Sequence, residues 1–169
     1  MAGGWDKAYL RQAQSDYDVF RRLLPLQVPE CHKLHYLQMA SEKLAKAIMS
    51  ASQRGHRQPN KHESLIRSFR LVGSYGPVRR ALGYSSKNDY ASFIRSVTPV
   101  AQAIEDLYPK GIVDRPNPEY PWESNGRVIC PIDYRFAHLD LLKGSNVKQF
   151  LWYLERCLKT AETWLVSAR

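Results

Sequence analysis

The seventeen residues from His35 to Ala51, HYLQMASEKLAKAIMSA, constrain the fold more than any other stretch. Leu37, Ala40, Leu44, Ala47, Ile48 and Ala51 recur at three- and four-residue steps, which lays them on one stripe of an α-helix. Ala, Leu, Met, Glu, Gln and Lys dominate, all strong helix formers. Glu42 and Lys46 stand one turn apart with the acid on the N-terminal side, the favoured order for a pair. The alanines within the stripe let a neighbouring backbone come close. The spacing predicts one helix over about Glu30–Ser52, opened by Pro29 and central to a bundle.

The flanking segments repeat the helical period. Tyr9, Leu10, Ala13, Tyr17, Phe20 and Leu24 share a face, predicting a first helix from about Asp6 to Leu24, ended by Pro25. Leu65, Ile66 and Phe69 predict a short helix over His62–Val72, and another spans Pro77–Leu82. Ser86 and Asp89 read as a cap and its reciprocal partner, opening a helix that Pro99 should kink or split at Val97–Thr98. From Lys110 to Pro131 four prolines forbid a long helix. Tyr120 and Trp122 in this loop should dock on the bundle. Arg127–Cys130 is a candidate extended segment after the Asn125-Gly126 turn, with residues near Ile112 and Val113 as its hairpin partner. A short helix is expected over Asp133–Leu142. A last helix starts near Ser145, with Val147, Phe150, Leu151, Leu154, Leu158, Ala161 and Leu165 on its inner face. The expected fold is all-α, an up-and-down bundle in one domain over residues 1–169, with a proline-rich insertion over 109–131.

No apolar run is long enough to span a bilayer, and the first residues lack the apolar region of a signal peptide, so a cytoplasmic location is expected. Cys31, Cys130 and Cys157 are too few and too scattered for a disulfide framework or a paired zinc motif. His32 and His35, three apart without a carboxylate, make a poor metal pair. No P-loop, HExxH or dinucleotide fingerprint is present, and no cofactor is expected. A nucleotide or small ligand between helices has no motif behind it.

Charge is more informative. The net charge is +9 with a pI near 9.6. Between Arg54 and Arg80 lie Arg54, Arg57, Lys61, Arg67, Arg70, Arg79 and Arg80, with Glu63 as the only acid. Such a segment attracts phosphate backbones. A second group, Asp133, Tyr134, Arg135 and His138, is a candidate phosphate patch, since Arg135 and His138 would share a helix face. Plain helix-surface residues are the alternative there.

The string Tyr36, Gln38, Ala40, Glu42, Lys43, Lys46, Ala47 resembles the second helix of HEPN domains. Upstream, AQSDYDVFRRLL resembles their first helix. Downstream, Gly55, Pro59 and His62-Glu63-Ser64-Leu65 resemble the entry to their third. The likeness covers about the first 70 residues. It implies a helical bundle, commonly a homodimer. It also implies a metal-independent ribonuclease, a toxin-antitoxin or other defence factor, or a partner of a nucleotidyltransferase or antitoxin. The family's catalytic signature is an Arg and a His a few residues apart. Arg57 and His62, with four residues between them, are the match here. The His would take the proton of an RNA 2′-hydroxyl and the Arg would stabilise the phosphorane. Pro59 interrupts the pair, so His62 also reads as a helix-entry residue. Asn117-Pro118-Glu119-Tyr120-Pro121-Trp122 resembles the family's Arg-Tyr-Pro-Asp segment, with Glu119 in place of the Arg. Two functions stay open: RNA binding and cleavage through the basic surface, or a non-catalytic module for dimerisation or docking of a protein. Trp152, Tyr153 and Trp164 lie outside the inner stripe of the last helix. They are expected either to meet a second copy or to be covered by the loop through Tyr120 and Trp122.

Overall fold

The computed structural model describes residues 4–52, 65–107, 116–136 and 144–167, the last with side chains through Ala161. Among these residues it is mostly helical, with one two-stranded hairpin. The helices are α1 (Trp5–Leu23), α2 (Glu30–Ser52), α3 (Leu65–Ser74), α4 (Gly76–Ala81), α5 (Lys87–Glu105) and α6 (Ser145–Ser167). Strands β1 (Trp122–Ser124) and β2 (Arg127–Ile129) precede a 3₁₀ turn at Pro131–Asp133.

Helix α2 is the hub. It packs against α1, α3, α5 and α6. Leu37, Ala40, Leu44, Ala47 and Ile48 are buried as their spacing predicts, and Ser41, Ala45, Met49 and Ser50 are buried as well. Small residues on its other faces allow neighbours on several sides. Ser41 turns its hydroxyl back to the carbonyl of Leu37 (2.8 Å), so this group enters the interior already bonded, and the exposed Ser52 makes the same kind of bond to Met49 (2.7 Å) at the helix end.

The long antiparallel contact with α1 carries a polar seam. Lys43 reaches Asp16 across it (Nζ–Oδ2 2.5 Å), and Gln12 donates to the same carboxylate at 3.2 Å. Lys46 pairs with Glu42 at 2.7 Å and lies 5.6 Å from the centre of the Tyr9 ring. These are the charged residues of the 36–47 string, and they knit the first two helices together.

Ser86 caps α5 by accepting from the Asp89 N–H at 3.0 Å. The helix runs unbroken through Pro99, whose exposed ring faces away from the core. The hairpin is local: β1 pairs β2 in register Trp122↔Ile129 and Ser124↔Arg127. Asn125 (φ 51°) and Gly126 (φ 72°) form the two-residue turn whose twist suits a hairpin, so the partner of Arg127–Ile129 is 122–124. The neighbourhood of Ile112 and Val113 lies outside the described residues. Trp122 is buried against Tyr134 (4.9 Å between ring centres) and Phe136 (6.2 Å). Tyr120 instead stands 60% exposed, because Asn117 turns the chain there by accepting from the N–H groups of Glu119 (2.8 Å) and Tyr120 (3.2 Å). Of the helix expected over Asp133–Leu142, residues 137–142 lie outside the described residues, and 134–136 are not helical. Tyr134 is extended, and the Phe136 N–H is drawn to the Glu30 carboxylate at the start of α2 (2.9 Å).

Candidate functional site: a basic and aromatic face

Arg67, Arg70 and Arg80 are exposed on α3 and α4, and Arg135 is exposed after the 3₁₀ turn. Arg79 is different. It is 8% exposed and donates to the carbonyls of Gly73 (2.9 Å) and Ser85 (3.4 Å). Its guanidinium closes the corner between the end of α3 and the approach to α5, so its chemistry is structural rather than phosphate-directed. Arg54, Arg57, Lys61, His62 and His138 lie outside the described residues, so the Arg57–His62 pair expected from the sequence is among them.

A face that sequence reasoning did not assemble joins α4, α5 and α6. Arg156 donates through Nε to the carbonyl of Ala81, the last residue of α4, at 3.3 Å. This places it beside Arg80 on a helix end that welcomes cations. Ser96 of α5 and the side-chain amide of Gln149 on α6 meet at hydrogen-bond distance, 3.0 Å. Between these ties, Tyr84, Phe93 and Trp152 pack edge to face or tilted, with ring centres 5.1, 5.8 and 6.4 Å apart. Trp152 remains 45% exposed. The Tyr120–Trp122 loop is not what borders it, since Trp122 packs with Tyr134 and Phe136. Burial pushes the Tyr84 phenol up to about 12. The spacing Lys148, Trp152, Arg156 was readable as one ridge of α6, but its pairing with Tyr84 and Phe93 needs three elements brought together.

Compared with protein-family models, curated proteins and solved structures, the chain matches none.

Two other places are chemically quieter. A groove of about 310 Å³ between α1 and α6 is lined by Gln14, Tyr17, Arg21, Glu155 and Lys159. Several of its polar groups are engaged within the last helix or across the seam, and Asp18 also lines it. Gln14 donates to Leu158 O (3.1 Å), Tyr17 to Leu151 O (3.2 Å), and Glu155 takes both Lys159 (2.6 Å) and Arg21 (3.1 Å). The Lys159 hydrogen bond, with Arg21 adding to it, holds the Glu155 carboxyl below its usual range. On α2, His32 is exposed, while His35 buries Nδ1 without a partner among the described residues and turns its ring edge-on to Tyr36. Among the described residues, no three His, Cys, Asp or Glu side chains converge to hold a metal, and no helix is long and apolar enough to cross a membrane.

Proposed function

We propose that this chain is a HEPN-like helical protein that binds RNA through a basic surface. The observation that carries the reading is the exposure of Arg67, Arg70 and Arg80 within the stretch of strongest positive bias. Cations held on short rigid helices present a fixed pattern of charge to a phosphate backbone, and neutralising phosphates releases counterions. Cleavage is the enzymatic extension of this reading, resting on the family likeness and on the Arg57–His62 spacing. Such a ribonuclease would act in the cytoplasm, without metal, as a toxin-like or defence factor.

A second reading is a non-catalytic module that dimerises or docks a partner such as a nucleotidyltransferase or antitoxin. It is favoured by one observation. Lys43, Glu42 and Lys46 of the HEPN-like string are engaged in ion pairs on and between the first two helices, so that string supports architecture without implying chemistry.

Charge reversal at Arg67, Arg70 and Arg80 tests RNA binding. The triple Glu variant should keep its fold and lose most of its RNA affinity at low salt. Equal affinity in both proteins would reject the reading. Cleavage is tested separately: activity should survive EDTA, leave a cyclic phosphate end and vanish in His62→Ala. A clean protein that binds but never cuts RNA would leave the non-catalytic module.

A further inference from the structure

We infer that Trp152, backed by Tyr84 and Phe93 and flanked by Lys148 and Arg156, is a base-stacking subsite for single-stranded RNA. The inference rests on the RNA-binding reading above and names the form of the nucleic acid.

Three observations support it. The first is an exposed indole held by other aromatic rings. Phe93 and Tyr84 meet its edge or face at 5.8 and 6.4 Å, which fixes its plane, and Phe93 in turn packs on the buried Tyr153 at 5.9 Å. A ring immobilised before binding loses little entropy when a base lands on it. The second is its charge. Lys148 and Arg156 stand one turn before and one turn after Trp152, both exposed, roughly 12 Å apart along the helix axis. Arg156 is tethered to the Ala81 carbonyl, next to Arg80, so the basic surface of α4 continues onto this ridge. The third is the state of the nearby acids. Glu155 is paired with Arg21 and Lys159 on the α1 side. Asp89, exposed one turn before Phe93, lies in the first turn of α5, where its charge meets the positive end of the helix dipole.

Single-strand binders combine cations that track the backbone with aromatic faces on which unpaired bases stack. A duplex offers no free base face, so it can use the cations but not Trp152. A second copy of the chain would suit an apolar patch, but a ridge carrying Lys148 and Arg156 at both ends repels its own image.

The test is fluorescence anisotropy with a labelled uridine strand of about 12 nucleotides and a duplex of the same length, a size suited to one such site. Wild type, Trp152→Ala, Trp152→Phe and the Arg67, Arg70, Arg80 triple Glu variant are compared at one salt concentration. Thermal melting checks each fold, and light scattering gives each mass. Trp152→Ala should lose about tenfold on the single strand and little on the duplex, the effect of one lost stack, while Trp152→Phe keeps most of the affinity. Equal loss on both forms, or none on either, with the triple Glu variant still impaired, overturns the subsite and leaves RNA binding standing. No binding of either form by wild type removes both. A wild-type dimer that becomes a monomer in Trp152→Ala assigns the face to self-association and also overturns the proposal.

Discussion

The hydroxyls of Tyr90 and Tyr153 meet 3.3 Å apart in the core, directly behind the face that Trp152 presents. Tyr90 donates its proton to the Phe69 carbonyl at 3.1 Å, so Tyr153 is the donor within the pair. Three helices, α3, α5 and α6, are thereby tied through two phenols. Phe69 meets the Tyr153 ring edge-on at 5.2 Å, and Gly73 lets α3 approach so closely that a Cβ there would stand 2.9 Å from the Tyr90 ring. Tyr90→Phe should destabilise by about 1–3 kcal/mol and Tyr153→Phe by less, because only the first withdraws a bond from a backbone carbonyl. Gly73→Ala should cost about 1–3 kcal/mol, since the buried ring has nowhere to move. Urea midpoints for the three variants check the order.

Adjacent arginines on α4 should behave in opposite ways. Arg79→Glu places a carboxylate among the carbonyls of Gly73 and Ser85 and should unfold the chain or lower its melting temperature sharply. Arg80→Glu changes an exposed end and should leave the melt within about 0.5 kcal/mol of wild type while weakening RNA binding. Paired melting and binding curves separate the two roles.

Lys43→Ala should cost about 2 kcal/mol, more than an exposed pair and less than a fully buried one. Asp16 is left buried with the Gln12 amide as its remaining side-chain partner among the described residues. The double change with Asp16→Ala should recover part of the loss. A Lys43→Ala variant as stable as wild type would show that the seam is held by packing alone.

Burial pushes the Cys157 thiol up to about 12, from an ordinary 9.0, and raises Cys31 as well. Thiolate is the reactive form, so an alkylating reagent at pH 8 should modify Cys130 in the native protein and all three cysteines only in denaturant. The same shifts set an alkaline limit. Cys157, and Tyr17 at about 12 against 10.0, ionise more readily in the unfolded chain. Their contribution is fully present below pH 9 and is lost as pH rises toward 12, so the melting temperature should fall across that window. Mass spectrometry and a pH series of melts check both statements.

Helices whose stripes are local were legible in the sequence. The limits of α2 and the Ser86 cap follow from Pro29, the Leu and Ala spacing and one hydroxyl. Residues placed by distant partners were not. Arg79 and Arg80 look alike in the sequence, yet only one faces the corner that Gly73 and Ser85 create. Tyr120 and Trp122 are both large aromatics two positions apart, and the Asn117 turn together with the hairpin register sends one outward and the other into the core. Trp152 reads equally as a docking residue or as a stacking surface until Tyr84 and Phe93 are seen beside it.

Salt dependence is the most direct measure of the claim that cations of this surface hold RNA phosphates. The logarithm of affinity for a labelled single strand should fall linearly with the logarithm of salt concentration. The slope should drop by about 0.7 for each of Arg67, Arg70 and Arg80 that is replaced by neutral Gln. A wild-type affinity indifferent to salt, or an unchanged slope in the triple Gln variant, would contradict it.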